Sequence, residues 1–371
     1  MELYVHIPFC ARKCAYCDFL SFADRNDCME RYPDALIRDV NGDGGLTLTD
    51  RTVTSIFIGG GTPSRMPLGT YERLLGAVRE HFSVNEDAEI TIECNPGTVD
   101  AAKLAEYRSA GINRISFGVQ SADNAELREL GRIHTWEEAK QSFCLAREAS
   151  FDNISIDLMM NLPGQTTETF ARTLREAIAL SPEHISAYSL ILEEGTAFYE
   201  RYAERPELLP SDEEAAATYE AAVAILGEAG YLQYEISNFA KPGRECRHNI
   251  GYWKRAEYLG IGIGAASLIG ERRYRVEPDL DRYLKKLTYE PCENLDEQDV
   301  RNETMMLGLR MNEGLSISEL RENFGEAYTE QLLGKLQRYV EQGLATVTPE
   351  RIALTVKGML VSNTILSDLM E

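Results

Sequence analysis

Short apolar runs alternate with amphipathic stretches along the first half of the chain. The runs are rich in β-branched residues, which is typical of strands buried on both faces. They lie at residues 3–7, 53–58, 88–93, 112–118, 154–159 and 184–190. The stretches between them predict helices at residues 24–40, 68–81, 100–110, 122–130, 136–149 and 168–180. Six strand–helix units in succession favour an α/β fold with a parallel sheet, closed partly or wholly into a barrel. An open doubly wound sheet is the alternative.

The pattern changes after residue 193. An Ala- and Glu-rich helix is predicted at 211–230, and the Gly- and Asp-rich stretch at 41–50 is predicted to be a turn or short insertion. From about residue 296 short helices precede two β-rich runs around a Pro-Glu-Arg turn, and a last helix follows. This order is typical of a winged-helix-like module. The sequence therefore predicts three parts, at residues 1–200, 201–295 and 296–371.

Composition narrows the function classes. The 371 residues carry a net charge of −22, and nucleic-acid binding needs clustered Lys and Arg, so no nucleic-acid partner is expected. Eight cysteines in a chain of this size do not resemble a secreted disulfide framework. We see neither a signal peptide nor an apolar run of the roughly 18 residues that a membrane-spanning helix needs. The sequence predicts a cytoplasmic protein with reduced cysteines and no transmembrane segment.

Three cysteines lie in the loop that follows the first predicted strand, with the spacing C-x3-C-x2-C: Cys10, Cys14 and Cys17. A [4Fe–4S] cluster normally takes four Cys ligands. Position 19 is Phe19, and Cys28 falls in the next predicted helix. Three ligands would leave one iron open to bind a small molecule. The alternatives are a zinc site completed by His6 or an exogenous ligand, and cysteines without a metal.

Other chemically suggestive residues also follow predicted strands, where barrels of this kind carry their functional groups. A Gly-Gly-Gly-Thr-Pro run at 59–63 follows the second strand, where it forms either a ligand cradle or a tight turn. Glu93 ends the third strand, and Gln120 and Arg132 follow the fourth. Asp157 lies inside an apolar run, where a lone charge is costly unless it is paired or ligand-bound. For Asp157 and Arg132 a structural ion pair is the alternative.

The segment YVHIPFCARKCAYCDF resembles the radical S-adenosylmethionine (SAM) superfamily, in the branch of oxygen-independent coproporphyrinogen III dehydrogenases and HemW-type haem chaperones. The resemblance implies a partial (β/α)6 barrel with an appended winged-helix-like domain. It also implies a [4Fe–4S] cluster on the three cysteines and reductive cleavage of SAM to methionine and a 5′-deoxyadenosyl radical. The family's SAM-contacting positions match Tyr4, Tyr16, Gly60, Gly61, Thr62, Glu93, Gln120, Arg132 and Asp157, and a packing contact matches Ile191.

Two features distinguish the branches of this family. Its dehydrogenases carry an N-terminal extension and a further cysteine two residues after the third ligand, whereas here HIPFC begins at residue 6 and position 19 is Phe19. The run HNIGYW at 248–253 matches the chaperones' HNxxYW signature. The resemblance therefore favours a chaperone that carries haem as cargo, with the dehydrogenase as the alternative. The resemblance also implies that the scaffold can cleave SAM reductively.

The chaperone hypothesis brings further expectations. His248 is a candidate haem ligand, because imidazole is a common axial ligand. The alternative is that the HN and YW residues pack and form hydrogen bonds under the barrel. The relatives usually have His where this chain has Ala266. Recipient haemoproteins at the membrane surface and a reductant protein are the expected partners, and the resemblance leaves a homodimer open.

Overall fold

The structure, a computed structural model, describes residues 1–42, 46, 48, 50–286 and 289–370. The turn or insertion predicted at 41–50 therefore lies partly outside the described residues. No helix in the described ranges is both long and apolar enough to cross a membrane.

Six parallel strands form the centre of the main sheet. They are β1 (Glu2–Ile7), β2 (Thr52–Gly60), β3 (Ser83–Cys94), β4 (Arg114–Gln120), β5 (Ile154–Met160) and β6 (His184–Ser189). Each strand pairs in parallel with the next one along the chain. A doubly wound sheet reverses its strand order part-way, and this one does not. The predicted α/β fold of the barrel type is confirmed.

Helices connect these strands: α1 (Tyr32–Val40), α2 (Thr70–His81), α3 (Ala101–Ser109), α4 (Asn124–Glu129), α5 (Trp136–Glu148) and α6 (Thr167–Ala179). Most begin where the sequence predicts, because a side chain caps the first turn. Asp100 accepts a hydrogen bond from the Lys103 backbone N–H, and Thr135 and Glu138 form a reciprocal capping box.

The helix predicted at 24–40 is wrong in its first half. A single 3₁₀ turn, Asn26–Cys28, comes first, and α1 begins only at Tyr32. Pro33 explains the late start, since proline fits the first turn of a helix but disrupts its interior.

Residues 193–295 extend this sheet at both edges. Their elements are α7 (Ala197–Tyr202), α8 (Asp212–Glu228), β7 (Leu232–Glu235), β8 (Asn238–Ala240), α9 (Arg247–Trp253), β9 (Tyr258–Ile261), β10 (Ala266–Ile269), β11 (Arg272–Val276), α10 (Leu280–Tyr283) and β12 (Tyr289–Asn294). Strand β8 pairs antiparallel with β6, and β9 pairs parallel with β1. The sheet order is β12-β11-β10-β9-β1-β2-β3-β4-β5-β6-β8-β7. Helix α8 confirms the helix predicted at 211–230.

The C-terminal part has its own small sheet. Its elements are α11 (Glu297–Gly308), β13 (Leu315–Ser316), α12 (Ile317–Phe324), α13 (Glu326–Glu341), β14 (Ala345–Val347), β15 (Arg351–Leu354), α14 (Val356–Leu360) and α15 (Ser362–Leu369). Strand β15 lies between β13 and β14 and is antiparallel to both. Helix α14 contacts α8 through the Tyr219 hydroxyl, 3.6 Å from the sulfur of Met359. The predicted hairpin with flanking helices is confirmed.

Candidate functional site

The loop after β1 that carries the three cysteines is fastened at both ends. The Cys10 N–H donates to the Phe22 carbonyl at 3.0 Å, which closes the loop on itself. In its middle, the Ala15 N–H donates to the Leu130 carbonyl at 3.1 Å. The first turn of α7 completes the clamp, since the Phe198 N–H donates to the Ala15 carbonyl at 2.8 Å. The loop is therefore held by its own closure and by two distant parts of the chain.

A cavity of about 130 Å³ opens between this loop and the carboxyl ends of the central strands. Eight of the nine predicted SAM positions and all three cysteines line it, and they come from six separate segments of the chain: Cys10, Cys14, Cys17, Tyr16, Gly60, Gly61, Thr62, Glu93, Gln120, Arg132 and Asp157. We call this space the cysteine cavity. Its lining shows that residues spread over almost 150 positions of sequence meet at one end of the barrel.

The glycine run at the end of β2 allows a close approach to the cysteine loop. The Gly61 N–H donates to the Ile7 carbonyl at 2.7 Å. A Cβ atom at Gly61 would lie 3.1 Å from the sulfur of Cys10 and 3.0 Å from the Ile7 oxygen. Gly60 has a φ of +112°, and a Cβ there would lie 2.6 Å from the ring of His6. Both positions need glycine, so the run is more than a tight turn.

Two of the three cysteine sulfurs already face hydrogen-bond donors. The Thr62 hydroxyl lies 3.6 Å from the sulfur of Cys10, and a guanidinium nitrogen of Arg132 lies 3.5 Å from that of Cys14. Asn95 holds both donors in place, because its amide contacts the Thr62 hydroxyl at 3.0 Å and Arg132 at 2.7 Å. Donors at the sulfurs are one means by which proteins tune iron–sulfur clusters.

Glu93 and Asp157 face each other across the upper end of the barrel lumen. Burial, with the nearby Asp157 as a lesser cause, raises the pKa of Glu93 from 4.5 to about 8. Its carboxylate accepts the Gly60 N–H at 3.1 Å. Burial also raises the pKa of Asp157, which accepts the Ser116 hydroxyl at 2.9 Å. Within the described residues neither carboxyl forms an ion pair, and their neighbours are hydrogen-bond donors: Gly60 for Glu93, and the Ser116 and Ser155 hydroxyls for Asp157.

Gln120 adopts a conformation that non-glycine residues rarely take. Its φ is +74° at the last position of β4, and its side-chain oxygen accepts the Tyr188 hydroxyl at 2.7 Å. Sequence reasoning missed Tyr188, which also lines the cysteine cavity. It likewise missed Asn95, although this residue directly follows Glu93 and Cys94 at a strand end. Tyr188 lies within an apolar strand pattern, which carries no signal of a site.

The residues present fit a [4Fe–4S] cluster and SAM. All three cysteines have free thiols and line one cavity, and cysteine thiolates are the usual ligands of such clusters. Arg132 supplies a guanidinium suited to a carboxylate, and the backbone at Gly60 and Gly61 comes close to the cavity. Glu93 and Asp157 supply acceptors for hydroxyl groups.

The barrel lumen continues below this site as a second cavity of about 440 Å³. Tyr4 lies in this lumen, with its hydroxyl 3.0 Å from Nδ1 of His6. His248 lines the lumen near its opposite end, where its Nδ1 lies 2.8 Å from the Ser55 hydroxyl. Gly60 follows Ser55 by five residues of β2, which is roughly 16 Å of strand. His248 therefore lies well below the cysteine cavity.

His248 is almost completely buried, and aromatic rings contact it where it lines the lumen. The side chain is 1% exposed and its ring stacks on Phe57 at 5.2 Å between centroids. Tyr252 contacts the ring edge-on at 4.7 Å. Burial lowers the pKa of His248 to about 3 and raises that of Glu2, 3.7 Å away, to about 8. The contact between Glu2 and His248 thus joins two neutral groups at neutral pH. The Nε2 atom of His248 has no hydrogen-bond partner in the described structure.

Two further sequence-predicted positions lie outside the cysteine cavity. Ile191 is 67% exposed and lines a different cavity between the barrel and the C-terminal part. Ala266, the position where relatives have His, is exposed in β10 beside Tyr4 and Tyr252.

The sequence matches two protein-family models and several characterised relatives. Residues 4–177 match the radical SAM superfamily, and residues 295–361 match the HemN C-terminal domain. The chain is 35% identical to the heme chaperone HemW of Bacillus subtilis, over 97% of this chain and 96% of that protein. It is 44% identical to the heme chaperone HemW of Escherichia coli, over 71% of this chain and 69% of that protein.

A solved structure shows the same architecture. The coproporphyrinogen III oxidase HemN of Escherichia coli, described as a radical SAM enzyme, superposes with a TM-score of 0.84 at 27% identity. The match covers 100% of this chain and 89% of that chain.

Proposed function

The chain belongs to the HemW family of the radical SAM superfamily, and on that premise we propose that it binds haem and delivers it to haemoproteins. The observation that carries the proposal is the similarity to the Bacillus subtilis haem chaperone along almost the whole chain. The HNIGYW run at 248–253 supports the same branch.

We assign the cluster and SAM to the cysteine cavity. Cys10, Cys14 and Cys17 would hold the cluster, which when bound supplies the electron and the open iron for reductive cleavage of SAM. Arg132 is placed to orient the carboxylate of SAM, because Asn95 and the Gly118 carbonyl fix its guanidinium at 2.7 Å and 2.5 Å.

The chain's own residues also keep water from this site. Tyr16 packs against Phe198, with 6.5 Å between the ring centroids, and burial raises the pKa of its hydroxyl above the usual value. A buried apolar cluster that includes Leu130, Met159 and Phe198 lies against the same side of the cysteine loop. A water-excluded wall protects a reactive species from side reactions.

Decarboxylation of coproporphyrinogen III is the second candidate function. The superposition on HemN favours it, since the two chains share one architecture over the whole length of this chain. Phe19 counts against it, because the resembling dehydrogenases carry a cysteine at that position. Because one fold can serve many functions, the two candidates have to be distinguished by which tetrapyrrole the protein binds or converts.

A pair of assays on anaerobically reconstituted protein separates the two functions. Haemin is titrated in and the Soret band is followed, while a parallel sample receives coproporphyrinogen III, SAM and a reductant. The chaperone proposal expects stoichiometric haem binding and no protoporphyrinogen. Turnover of coproporphyrinogen III would replace the chaperone by the dehydrogenase, and the absence of both signals would contradict both functions.

We also propose two protein partners for haem delivery. A reductant protein would supply electrons to the cluster, and a recipient haemoprotein at the membrane surface would accept the haem. Mixing haem-loaded protein with an apo-haemoprotein and following the Soret band of the recipient tests delivery directly.

A further inference from the structure

A cleft of about 720 Å³ lies between the barrel and the C-terminal helices. One wall is the carboxyl ends of β5 and β6, from Met160 to Asn161 and from Ala187 to Ser189. A second wall is the first half of α8, and the third is the α14–α15 junction. We call this space the interdomain cleft. Its volume falls within the roughly 300–1,000 Å³ typical of ligand sites.

The walls of the interdomain cleft suit a flat apolar ligand. Ile191, which is 67% exposed, and Val361, which is 42% exposed, both line the cleft. Between them, Ala215 and Ala216 present only methyl groups from α8, which leaves the space open. Large apolar side chains are rarely left this exposed without reason when several share one cleft.

The cleft also contains a cation that forms no ion pair with a described residue. Arg310 lines it, half-buried, with its guanidinium carbon 5.7 Å from the centre of the Trp253 ring. No carboxylate of the described residues lies within ion-pair distance of this guanidinium. The charged residues of the lining are Asp212, in the first turn of α8, and Arg310. Of these two, Arg310 is the one that can bind an anionic substituent of a ligand.

The interdomain cleft shares one lining side chain with the site described above. Tyr188 lines the cleft, the cysteine cavity and the lumen. A ligand in the cleft would therefore lie against the same ring that holds Gln120. Neither of the other two cavities is as large, at about 130 Å³ and 440 Å³.

We propose that the interdomain cleft holds the haem, with the macrocycle between Ile191 and Val361 and a propionate on Arg310. This inference rests on the proposed haem-binding function and names its site. A planar porphyrin needs apolar walls on both faces, and its propionates need a cation at the edge. The described lining offers both in one place.

Filling the cleft tests the site without touching the cysteine cavity. Ala216→Trp places an indole into the cleft from α8, and Ala217→Trp is the matched control, because Ala217 is exposed on the same helix and does not line the cleft. Binding of zinc protoporphyrin IX is measured by fluorescence in the full-length, cluster-loaded protein. We expect Ala216→Trp to raise the Kd about tenfold or more, and Ala217→Trp to leave it within about twofold. Iron content and thermal unfolding show that both variants are folded.

A second comparison tests Arg310. We expect Arg310→Met to weaken binding of zinc protoporphyrin IX about tenfold, which corresponds to a lost charge-assisted hydrogen bond. The dimethyl ester of the same porphyrin lacks free carboxylates, so its Kd should not respond to this substitution. Arg310→Lys should restore part of the affinity for the free acid.

The outcomes separate this inference from the function on which it rests. If the unsubstituted chain binds no porphyrin, both the haem-binding function and the cleft assignment fail. If it binds porphyrin but Ala216→Trp and Ala217→Trp have equal affinities, haem binding stands and the cleft assignment is overturned. An equal effect of Arg310→Met on the acid and the ester would remove the propionate contact from the proposal.

Discussion

The hydroxyl of Tyr188 donates a 2.7 Å hydrogen bond to the side-chain oxygen of Gln120, the residue that ends β4 with a φ of +74°. A left-handed backbone conformation at a non-glycine residue costs free energy, so it is kept only where contacts with neighbouring residues stabilise it. Tyr188 therefore positions Gln120 at the rim of the cysteine cavity, although the two residues are 68 positions apart.

Tyr188→Phe should weaken SAM binding without loss of the cluster. Removing one hydrogen bond of this kind costs about 0.5–1.5 kcal/mol, so we expect the Kd for SAM to rise about three- to tenfold. Tyr231→Phe is the control, because its hydroxyl donates at 2.7 Å to the Pro182 carbonyl, away from the cavity. Calorimetric titration of both variants measures the difference. Equal SAM affinities would mean that Tyr188 does not position Gln120.

Each of the three clustered cysteines should be required for the iron centre. Single substitutions of Cys10, Cys14 or Cys17 by Ala should remove the [4Fe–4S] absorption and most of the bound iron. A [4Fe–4S] cluster normally has four Cys ligands, and each substitution would leave only two of the three proposed here. Cys28→Ala is the matched control, because Cys28 is buried like Cys10 but its sulfur contacts Arg25 and Asp27. Iron loss in Cys28→Ala equal to that in the others would assign the ligands differently.

Gly61→Ala should prevent correct closure of the cysteine loop. The added methyl would lie 3.0 Å from the Ile7 oxygen and the Phe9 nitrogen, and these backbone atoms cannot move aside easily. We expect a loss of about 1–3 kcal/mol in the free energy of unfolding and lower cluster incorporation. Gly76→Ala in α2 has open space around it and should be neutral or stabilising by up to about 1 kcal/mol. Urea unfolding compares the two variants.

Part of this site could be predicted from sequence, because its chemistry is local. The cysteine loop, the glycine run at the end of β2 and Glu93 near the end of β3 are each encoded by a short motif, and Asp157 is recognisable as a charge inside the apolar run of β5. Asn95 and Tyr188 act through partners from other segments, and neither lies in a pattern that signals this. The edge strands β7 to β12 are mostly short and mixed in polarity, so their pairing depends on a barrel that already exists. Pro33 alone could have corrected the start of α1.

The contribution of Glu93 to the stability of the cofactor-free protein should fall as pH rises from about 5 to about 8. Glu93 has its pKa raised from 4.5 to about 8, so the folded chain keeps a proton that the unfolded chain releases in this window. The stabilising effect is complete below the lower value and is lost as pH approaches the upper one. Glu93→Gln cannot titrate, so its melting temperature should decline less across the window.

Glu2→Gln provides the comparison for this experiment. Burial raises the pKa of Glu2 from 4.5 to about 8 as well, so this substitution should flatten the same pH profile. Glu2 lies at the other end of the lumen, so only Glu93→Gln should reduce the rise in melting temperature that SAM produces. An unchanged pH profile in both variants would contradict the assignment of the titration to these carboxyls.

His248→Gln should reduce stability rather than haem affinity. The ring is 1% exposed and contacts Phe57, Tyr252 and Ser55, so we expect its main contribution to be the packing at this end of the lumen. His184→Gln is a matched control, because His184 is equally buried in the lumen but both of its ring nitrogens have partners, at 2.8 Å and 2.9 Å. We expect each substitution to lower the free energy of unfolding by about 1–3 kcal/mol and to leave the Soret maximum of the haem complex in place. A shifted Soret band in His248→Gln but not in His184→Gln would establish His248 as the axial ligand. Only His248 has a ring nitrogen, Nε2, without a hydrogen-bond partner in the described structure.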